Sequence, residues 1–199
     1  MKWLYNNWSK ATIFLAIYML ILLLMYVKNE NYALFLLWLQ APVYYLHQFE
    51  EYILPGGFSS FFNKIVLGSD QDEFPLTKKS SFWINVPLTF IAFPLSAILS
   101  QYVDMSIGIW AVYFSLCNAI SHIAMFFIFR FKYNPGLIMS LLLNIPIGIY
   151  TVYYFATNHI ISTPAQITGL TVGIAGQLLL MLWGFKILKP QIKELRQPY

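Results

Sequence analysis

Residues 107–129 read IGIWAVYFSLCNAISHIAMFFIF, a stretch without a single Asp, Glu, Lys or Arg. A helix crosses the hydrocarbon core of a bilayer with about 20 such residues, so the stretch predicts a transmembrane helix. The composition agrees, because 59% of the 199 residues are hydrophobic and only 10% are charged. An average soluble domain has roughly 25% charged residues. The composition therefore excludes a soluble globular protein.

Apolar runs of similar length lie on both sides of this stretch, and charged or turn-forming residues bound them, which predicts further helices. The six predicted spans are about 11–27, 32–54, 81–100, 107–129, 135–157 and 165–185. Six spans use most of the chain. We therefore expect an all-α integral membrane protein, with one six-transmembrane-helix bundle formed by residues 1–199.

The longest connection, residues 55–80 between predicted helices 2 and 3, has helical character of its own. Phe58, Phe61, Phe62 and Ile65 recur at helical spacing. This pattern predicts a short interfacial helix that lies on the cytoplasmic membrane surface and can act as a lid.

Basic residues are distributed unequally between the two predicted faces of the membrane. With six crossings, eleven of the 12 Lys and Arg residues fall in the two termini and in the loops on the same side, and only Lys28 falls on the other. Cytoplasmic segments of membrane proteins are enriched in Lys and Arg. We therefore expect a multi-pass protein of the plasma (cytoplasmic) membrane with both termini in the cytoplasm.

Ionisable side chains at membrane depth are costly and usually functional. Those not explained by loops or helix ends are His47, Glu50, Glu51 and His122. Helical periodicity places the first three on one face of helix 2, while Asn118 and His122, at i and i+4, share a face of helix 4. At about 1.5 Å per residue, the two histidines lie at similar depth. These residues predict one polar site in the cytoplasmic half of the membrane.

The string HQFEE at residues 47–51 resembles the signature of the HXXEE family of integral membrane proteins. Two further strings add to the resemblance: NAISH at residues 118–122 and YNPG at residues 133–136. The resemblance covers roughly predicted helices 2 to 5. It implies a multi-pass membrane protein and names no reaction.

Adjacent carboxylates at low dielectric cannot both stay ionised unless a cation or a shared proton relieves them, which leaves two mechanisms open. In the first, His47 and Glu51 chelate a divalent metal such as zinc, and His122 supplies a third ligand. Glu50 is then the base for a bound water. The spacing is close to the zinc motif H-x-x-E-H, with Glu51 in place of the second histidine. A carboxylate also suits harder ions.

In the second mechanism no metal is bound. One glutamate is the acid, the other acts as the base together with His47 or His122, and Asn118 orients a substrate oxygen. The metal mechanism suits hydrolysis or transfer, and the metal-free mechanism suits isomerisation, hydration or transfer. In both, the substrate is lipid-like or isoprenoid and is held between the helices. We therefore predict a membrane-embedded enzyme.

Other interpretations of the same residues stay open. The cluster can serve a small ion- or proton-coupled carrier or a binding protein. No charge lies on a path from the cluster to the outer surface except Asp104 in its loop, which favours an enzyme. It can also be purely structural, as we expect for Asn144 and Gln177.

The sequence also limits the classes of molecule that the protein is expected to bind. Membrane lipids are the expected partners, and nucleic acid is not, because no long basic soluble region is present. The single cysteine, Cys117, excludes an internal disulfide and a thiolate metal cluster. Gly169 and Gly173 form a G-x-x-x-G pattern, for which packing within the bundle is favoured over dimerisation.

Overall fold

The computed structural model of the chain describes residues 1–195, and its regular secondary structure is entirely helical over that range. Numbered in chain order, the helices are α1 Lys2–Val27, α2 Tyr32–Trp38, α3 Gln40–Tyr52, α4 58–67, α5 Lys78–Tyr102, α6 Met105–Ile128, α7 Leu137–Thr157 and α8 Thr163–Glu194. Arg196, one of the eleven basic residues assigned above to the cytoplasmic side, lies outside the described residues.

Local sequence sets the start of several helices through side-chain caps. The side chain of Asn31 accepts a hydrogen bond from the Leu34 N–H at 3.0 Å at the start of α2. Thr77 and Ser80 form a reciprocal capping box at the start of α5. Because the first N–H groups of a helix have no partner within it, such caps fix the point where each helix begins.

Among residues 1–195, five helices are long and apolar enough to cross a membrane, namely α1, α5, α6, α7 and α8. The predicted span at 32–54 is not a sixth, because the chain is divided at Leu39 into α2 and α3. Pro42 explains the division: it has no N–H for the carbonyl of Trp38, and its ring crowds that turn. The prediction of an all-helical chain is confirmed. Within residues 1–195, five helices, rather than the predicted six, are long and apolar enough to span a membrane.

The most polar helix of the bundle is also deeply buried. Five polar side chains of α3 are no more than 4% exposed: Gln40, His47, Gln48, Glu50 and Glu51. The long helices show the opposite pattern, since Ile128 in α6 is 69% exposed and Leu179 in α8 is 66% exposed. Polar side chains inside and apolar side chains outside are expected of a bundle surrounded by lipid.

Helices α2 and α3 together run from one end of the bundle to the other. At the start of α2, the rings of Tyr32 and Tyr154 in α7 pack with 5.1 Å between centroids. At the end of α3, Tyr52 packs against Trp8 of α1, also at 5.1 Å. The polar end of α3 therefore lies beside the beginning of α1.

Helices α6 and α8 pack closely through glycine in the half of each helix that comes first in the chain. A Cβ atom at Gly173 would lie 2.7 Å from the backbone nitrogen of Phe114, and one at Gly169 would meet Ile109. Small residues allow two helix backbones to approach in this way. The G-x-x-x-G pattern thus serves packing within the bundle, as expected.

Helix α4 forms where the sequence predicts a short helix, and the loop that follows it is tied back to it. Buried Asn63 donates to the carbonyl oxygens of Asp72 and Leu76 at 2.8 and 3.0 Å, and accepts from the Leu76 N–H at 2.8 Å. On the exposed side, the Lys64 ammonium donates to the Asp72 carboxylate at 2.9 Å. Hydrogen bonds from Ser60 and then from Lys64 lower the pKa of Asp72.

Candidate metal centre

Three buried side chains from α3 and α6 converge inside the bundle. His122 Nε2 lies 3.3 Å from Glu51 Oε1, and His47 Nε2 lies 3.5 Å from the same oxygen. The two imidazole rings meet edge to face with 4.7 Å between centroids. One ligand atom from each residue lies within 4.8 Å of the other two. A single ion can therefore contact all three.

The secondary structure explains this convergence. His47 and Glu51 are separated by one turn of α3 and point from the same face, and α6 presents His122 to that face. The ring of Phe58 in α4 covers His122 with 5.5 Å between centroids. Exposure is 0% for His47, 4% for Glu51 and 2% for His122. The structure thus brings together the three residues predicted as metal ligands.

Asn134, in the connection between α6 and α7, orients the His122 ring. Its amide nitrogen donates to the backbone carbonyl of His122 at 3.0 Å, and its amide oxygen lies 2.6 Å from His122 Nδ1. A carbonyl oxygen can only accept, so the amide orientation is determined by the network. The amide oxygen then faces Nδ1, which places a proton on Nδ1 and leaves the lone pair of Nε2 directed at Glu51 in neutral His122.

The resulting arrangement brings acceptors together without an evident donor. The lone pair of His122 Nε2 faces a carboxylate oxygen 3.3 Å away. His47 has no hydrogen-bond partner for either ring nitrogen among the described residues, although it is fully buried. Buried polar groups are normally satisfied. A cation or an added proton between these groups satisfies them.

The two separations from Glu51 Oε1 fit a small divalent ion, while the two histidine ligand atoms lie within 4.8 Å of each other. In a tetrahedral zinc site with bonds of about 2.0–2.1 Å, neighbouring ligand atoms are separated by about 3.3–3.4 Å. The two separations from Glu51 Oε1 are 3.3 and 3.5 Å. Two histidines and one glutamate form a ligand set found in catalytic zinc sites, where the fourth position is left for water or substrate.

Gly136, at the start of α7, forms the floor beneath both imidazoles. A Cβ atom there would lie 2.8 Å from His122 Nδ1 and 2.9 Å from His47 Cε1. The residue also has a φ of 102°, a conformation that favours glycine. A side chain at this position would displace both rings.

Glu50, predicted as the base, lies outside the converging group and holds the start of α7 instead. Its Oε1 accepts from the Tyr133 hydroxyl at 2.7 Å and from the Ile138 N–H at 3.0 Å, and its Oε2 accepts from the Met139 N–H at 2.7 Å. A carboxylate is favoured at a helix N-terminus because it satisfies free N–H groups and interacts with the helix dipole. Burial and then the bond to Glu50 raise the pKa of Tyr133, which keeps its hydroxyl as a donor.

Asn118 lies beside the centre and contacts it through Tyr44. Its amide nitrogen donates to the Tyr44 hydroxyl at 2.5 Å, and the Tyr44 ring lies 5.3 Å from that of His47. Asn118 also lines a cavity that reaches Glu51 and His122. It is therefore within the site region, as predicted, without touching the three converging atoms.

The other predicted polar side chains bond between helices. Gln48 Nε2 donates to Asn85 Oδ1 at 3.0 Å, Asn144 Nδ2 to Ser115 Oγ at 2.9 Å, and Gln177 Nε2 to Ser121 Oγ at 3.1 Å. These bonds fit the structural roles expected for Asn144 and Gln177, and they give Asn85 a bond between helices as well.

A cavity of about 360 Å³ reaches the converging residues. Glu51 and His122 form part of its wall, and most of the rest is apolar, including Phe58, Phe62 and Leu180. This volume falls in the range of small-molecule sites, which combine an apolar wall with a few polar groups. A fourth ligand and a substrate therefore have space beside Glu51 and His122.

A second cavity, of about 340 Å³, adjoins the first at the end of the bundle where α1 begins and α3 ends. The two share Tyr52, Phe58 and Leu76 in their walls. The second cavity is more polar, with Ser9 and Lys78 among its lining residues. Phe58 of α4 thus stands between a polar outer cavity and the apolar inner one.

The family described as "Protein of unknown function with HXXEE motif" matches residues 38–151. This range covers more than half of the chain and contains all three converging residues. The chain belongs to the HXXEE family. No curated protein and no solved structure matches it.

The HXXEE motif divides into two functions in this structure. Its histidine and second glutamate, His47 and Glu51, face the candidate metal centre, and its first glutamate, Glu50, faces α7. Reasoning from helical faces missed Asn134 and Gly136, because both lie in a connection. The YNPG string at 133–136 marked that segment without giving its residues a role.

Proposed function

We propose that this member of the HXXEE family is a membrane-embedded, metal-dependent hydrolase or transferase that acts on a lipid-like substrate. The observation that carries the proposal is the meeting of His47 Nε2 and His122 Nε2 at one oxygen of Glu51, at 3.5 and 3.3 Å. Asn134 directs the His122 lone pair at this point. Such a group binds a divalent ion such as zinc with a position left open.

A divalent ion held there would lower the pKa of a water molecule and polarise a carbonyl or phosphoryl oxygen. The apolar cavity adjoins Glu51 and His122, so the reacting group of a substrate would lie beside these two residues. Tyr44 and Asn118 also line the cavity and supply uncharged polar groups that would orient that substrate. Glu50 is engaged by three donors, so we assign it to holding α7 rather than to proton transfer.

The membrane arrangement is part of the same proposal. Helices α2 and α3 join the two ends of the bundle, and we propose that together they form the sixth crossing. Both termini then lie in the cytoplasm, in agreement with the distribution of Lys and Arg. The polar outer cavity beneath α4 faces the cytoplasm and gives water a route to the site.

Metal content of the purified protein tests the proposal, with His47→Asn as the variant. The ring nitrogens of His47 make no hydrogen bond to the described residues. Replacing His47 therefore removes a candidate ligand without breaking a hydrogen bond. We expect close to one divalent ion per chain in the parent and an affinity more than about 100-fold weaker in the variant, since even changes to outer-shell partners cost 10–100-fold.

His159→Asn is the matched control, because His159 is exposed in the α7–α8 connection and asparagine tolerates its positive φ. It should keep the full metal content. A parent protein that binds no divalent ion under any condition contradicts the metal proposal and leaves the metal-free acid–base mechanism or a structural cluster.

A further inference from the structure

Helices α6 and α8 diverge toward the end of the bundle where α4 lies, and the apolar cavity fills the space between them. In the first half of each helix they are in close contact through Gly173 and Phe114. Farther along α8, a Cβ atom at Gly184 would instead lie 3.0 Å from the ring of Phe62 in α4. Helix α8 therefore leaves α6 and meets α4.

The apex and the base of this wedge have different chemistry. At the apex, Gln177 of α8 donates to Ser121 of α6 at 3.1 Å, and both residues line the cavity. The base is closed by the rings of Phe58 and Phe62. Between apex and base, Glu51 and His122 form the inner wall.

The outer side of the wedge carries exposed apolar residues on both helices. Ile120 and Ile128 of α6 line the cavity and are 56% and 69% exposed. Met181 and Phe185 of α8 line it as well and are 42% and 40% exposed. Exposed apolar residues on both edges indicate an opening toward the hydrocarbon of the membrane rather than toward water.

One cation lies at this opening in space, and a second follows one of its lining residues in the sequence. The Lys189 ammonium lies 5.7 Å from the centroid of the Phe185 ring, at the rim of the cavity. Arg130 follows Phe129, a lining residue on the opposite side. Neither forms a salt bridge to an acidic residue within the described part of the chain.

We infer that the wedge between α6 and α8 binds a membrane lipid with an anionic headgroup, one hydrocarbon chain of which occupies the cavity. Lys189 and Arg130 contact the headgroup, and the chain passes Glu51 and His122. The lipid comes sideways from the cytoplasmic leaflet. The identification of this lipid as a substrate rests on the proposed function, whereas lipid binding itself is independent of the metal.

Lipid binding to the purified protein in detergent tests the inference, measured by native mass spectrometry and by titration. The probes are phosphatidylglycerol and phosphatidylcholine with identical chains. Ala124→Phe fills the cavity from α6, and Met181→Trp narrows its opening from α8. Ala156→Phe, at an exposed position of α7, is the matched control.

We expect the parent and Ala156→Phe to bind phosphatidylglycerol more tightly than phosphatidylcholine, and Ala124→Phe and Met181→Trp to lose both. Lys189→Gln should reduce the preference by about fivefold, the effect of one cation at the surface of an anionic membrane. Lys28→Gln, on the other side of the membrane, should leave it unchanged.

The inference is overturned if phosphatidylglycerol binds the two cavity variants as it binds the parent, or if the parent binds both lipids equally. Thermal melting of the same samples shows whether Ala124→Phe and Met181→Trp remain folded. Metal content, measured on the same samples, separates the two proposals. Lipid binding without metal contradicts only the proposed function, and metal without lipid binding contradicts only this inference.

Discussion

At the scale of single residues, Asn134 determines how His122 presents itself to Glu51. Its amide bonds both the ring and the backbone of that histidine. The orientation matters because a metal binds the unprotonated nitrogen, and the partner of the other nitrogen decides which one that is.

We predict that Asn134→Ala weakens metal binding by about 10–100-fold, the usual effect of removing a partner of a ligating histidine. Without the amide oxygen, the ring proton is free to occupy Nε2, the nitrogen that faces Glu51. Competition with a chelating dye measures the affinity. Asn144→Ala is the control, since it also removes a buried amide, 1% exposed and bonded to Ser115. Equal losses in the two variants would point to general loosening of the bundle and contradict the prediction.

At the scale of elements, the decisive contact is that between α3 and the start of α7. Glu50 satisfies two backbone N–H groups of α7 and the hydroxyl of Tyr133. This contact holds Gly136 against the two imidazoles. Neighbouring glutamates on α3 thus serve different purposes, because consecutive residues of a helix are rotated by about 100° and point at different partners.

We predict that Glu50→Gln lowers the free energy of unfolding by about 1–3 kcal/mol, because the amide NH₂ faces a donor and leaves it unsatisfied. Glu51→Gln should instead leave the metal-free protein as stable as the parent or more stable, since its NH₂ can donate to the lone pair of His122 Nε2. It should abolish metal binding. Thermal melting and chemical denaturation in detergent measure the stability of both variants. The same loss of stability in both variants would refute this division of roles.

At the scale of the whole molecule, the bundle places the buried pair α2–α3 at its centre and its long apolar helices outside. The pair α2–α3 joins the two ends of the bundle, although it is interrupted at Leu39. If it crosses the membrane, Lys28 and Lys79 lie on opposite sides. If it does not, they lie on the same side.

We predict that a membrane-impermeant maleimide labels Lys28→Cys in intact cells and labels Lys79→Cys only after the membrane has been opened. Both variants are made in a Cys117→Ser background, which removes the natural thiol. Each target is exposed in the structure, so labelling reports the side of the membrane. Labelling of both positions in intact cells would show that α2–α3 does not cross.

The sequence by itself determined the helical class, the approximate position of each helix and the grouping of His47, Glu51 and His122. Hydropathy and helical periodicity are local properties, and depth along two helices follows from counting residues. The same reasoning predicted six spans, because hydropathy does not show that Pro42 interrupts the helix at the turn before it.

Only the tertiary structure decided the role of Glu50, which depends on the start of a helix more than 80 residues away. It also decided the contacts of Asn134 and Gly136 with the imidazoles and the divergence of α6 from α8 that leaves the cavity. Each of these depends on how separate helices pack, which is set by the shapes of side chains distant in the chain. The sequence therefore determined which residues lie at the centre, and packing decided which of them face one another.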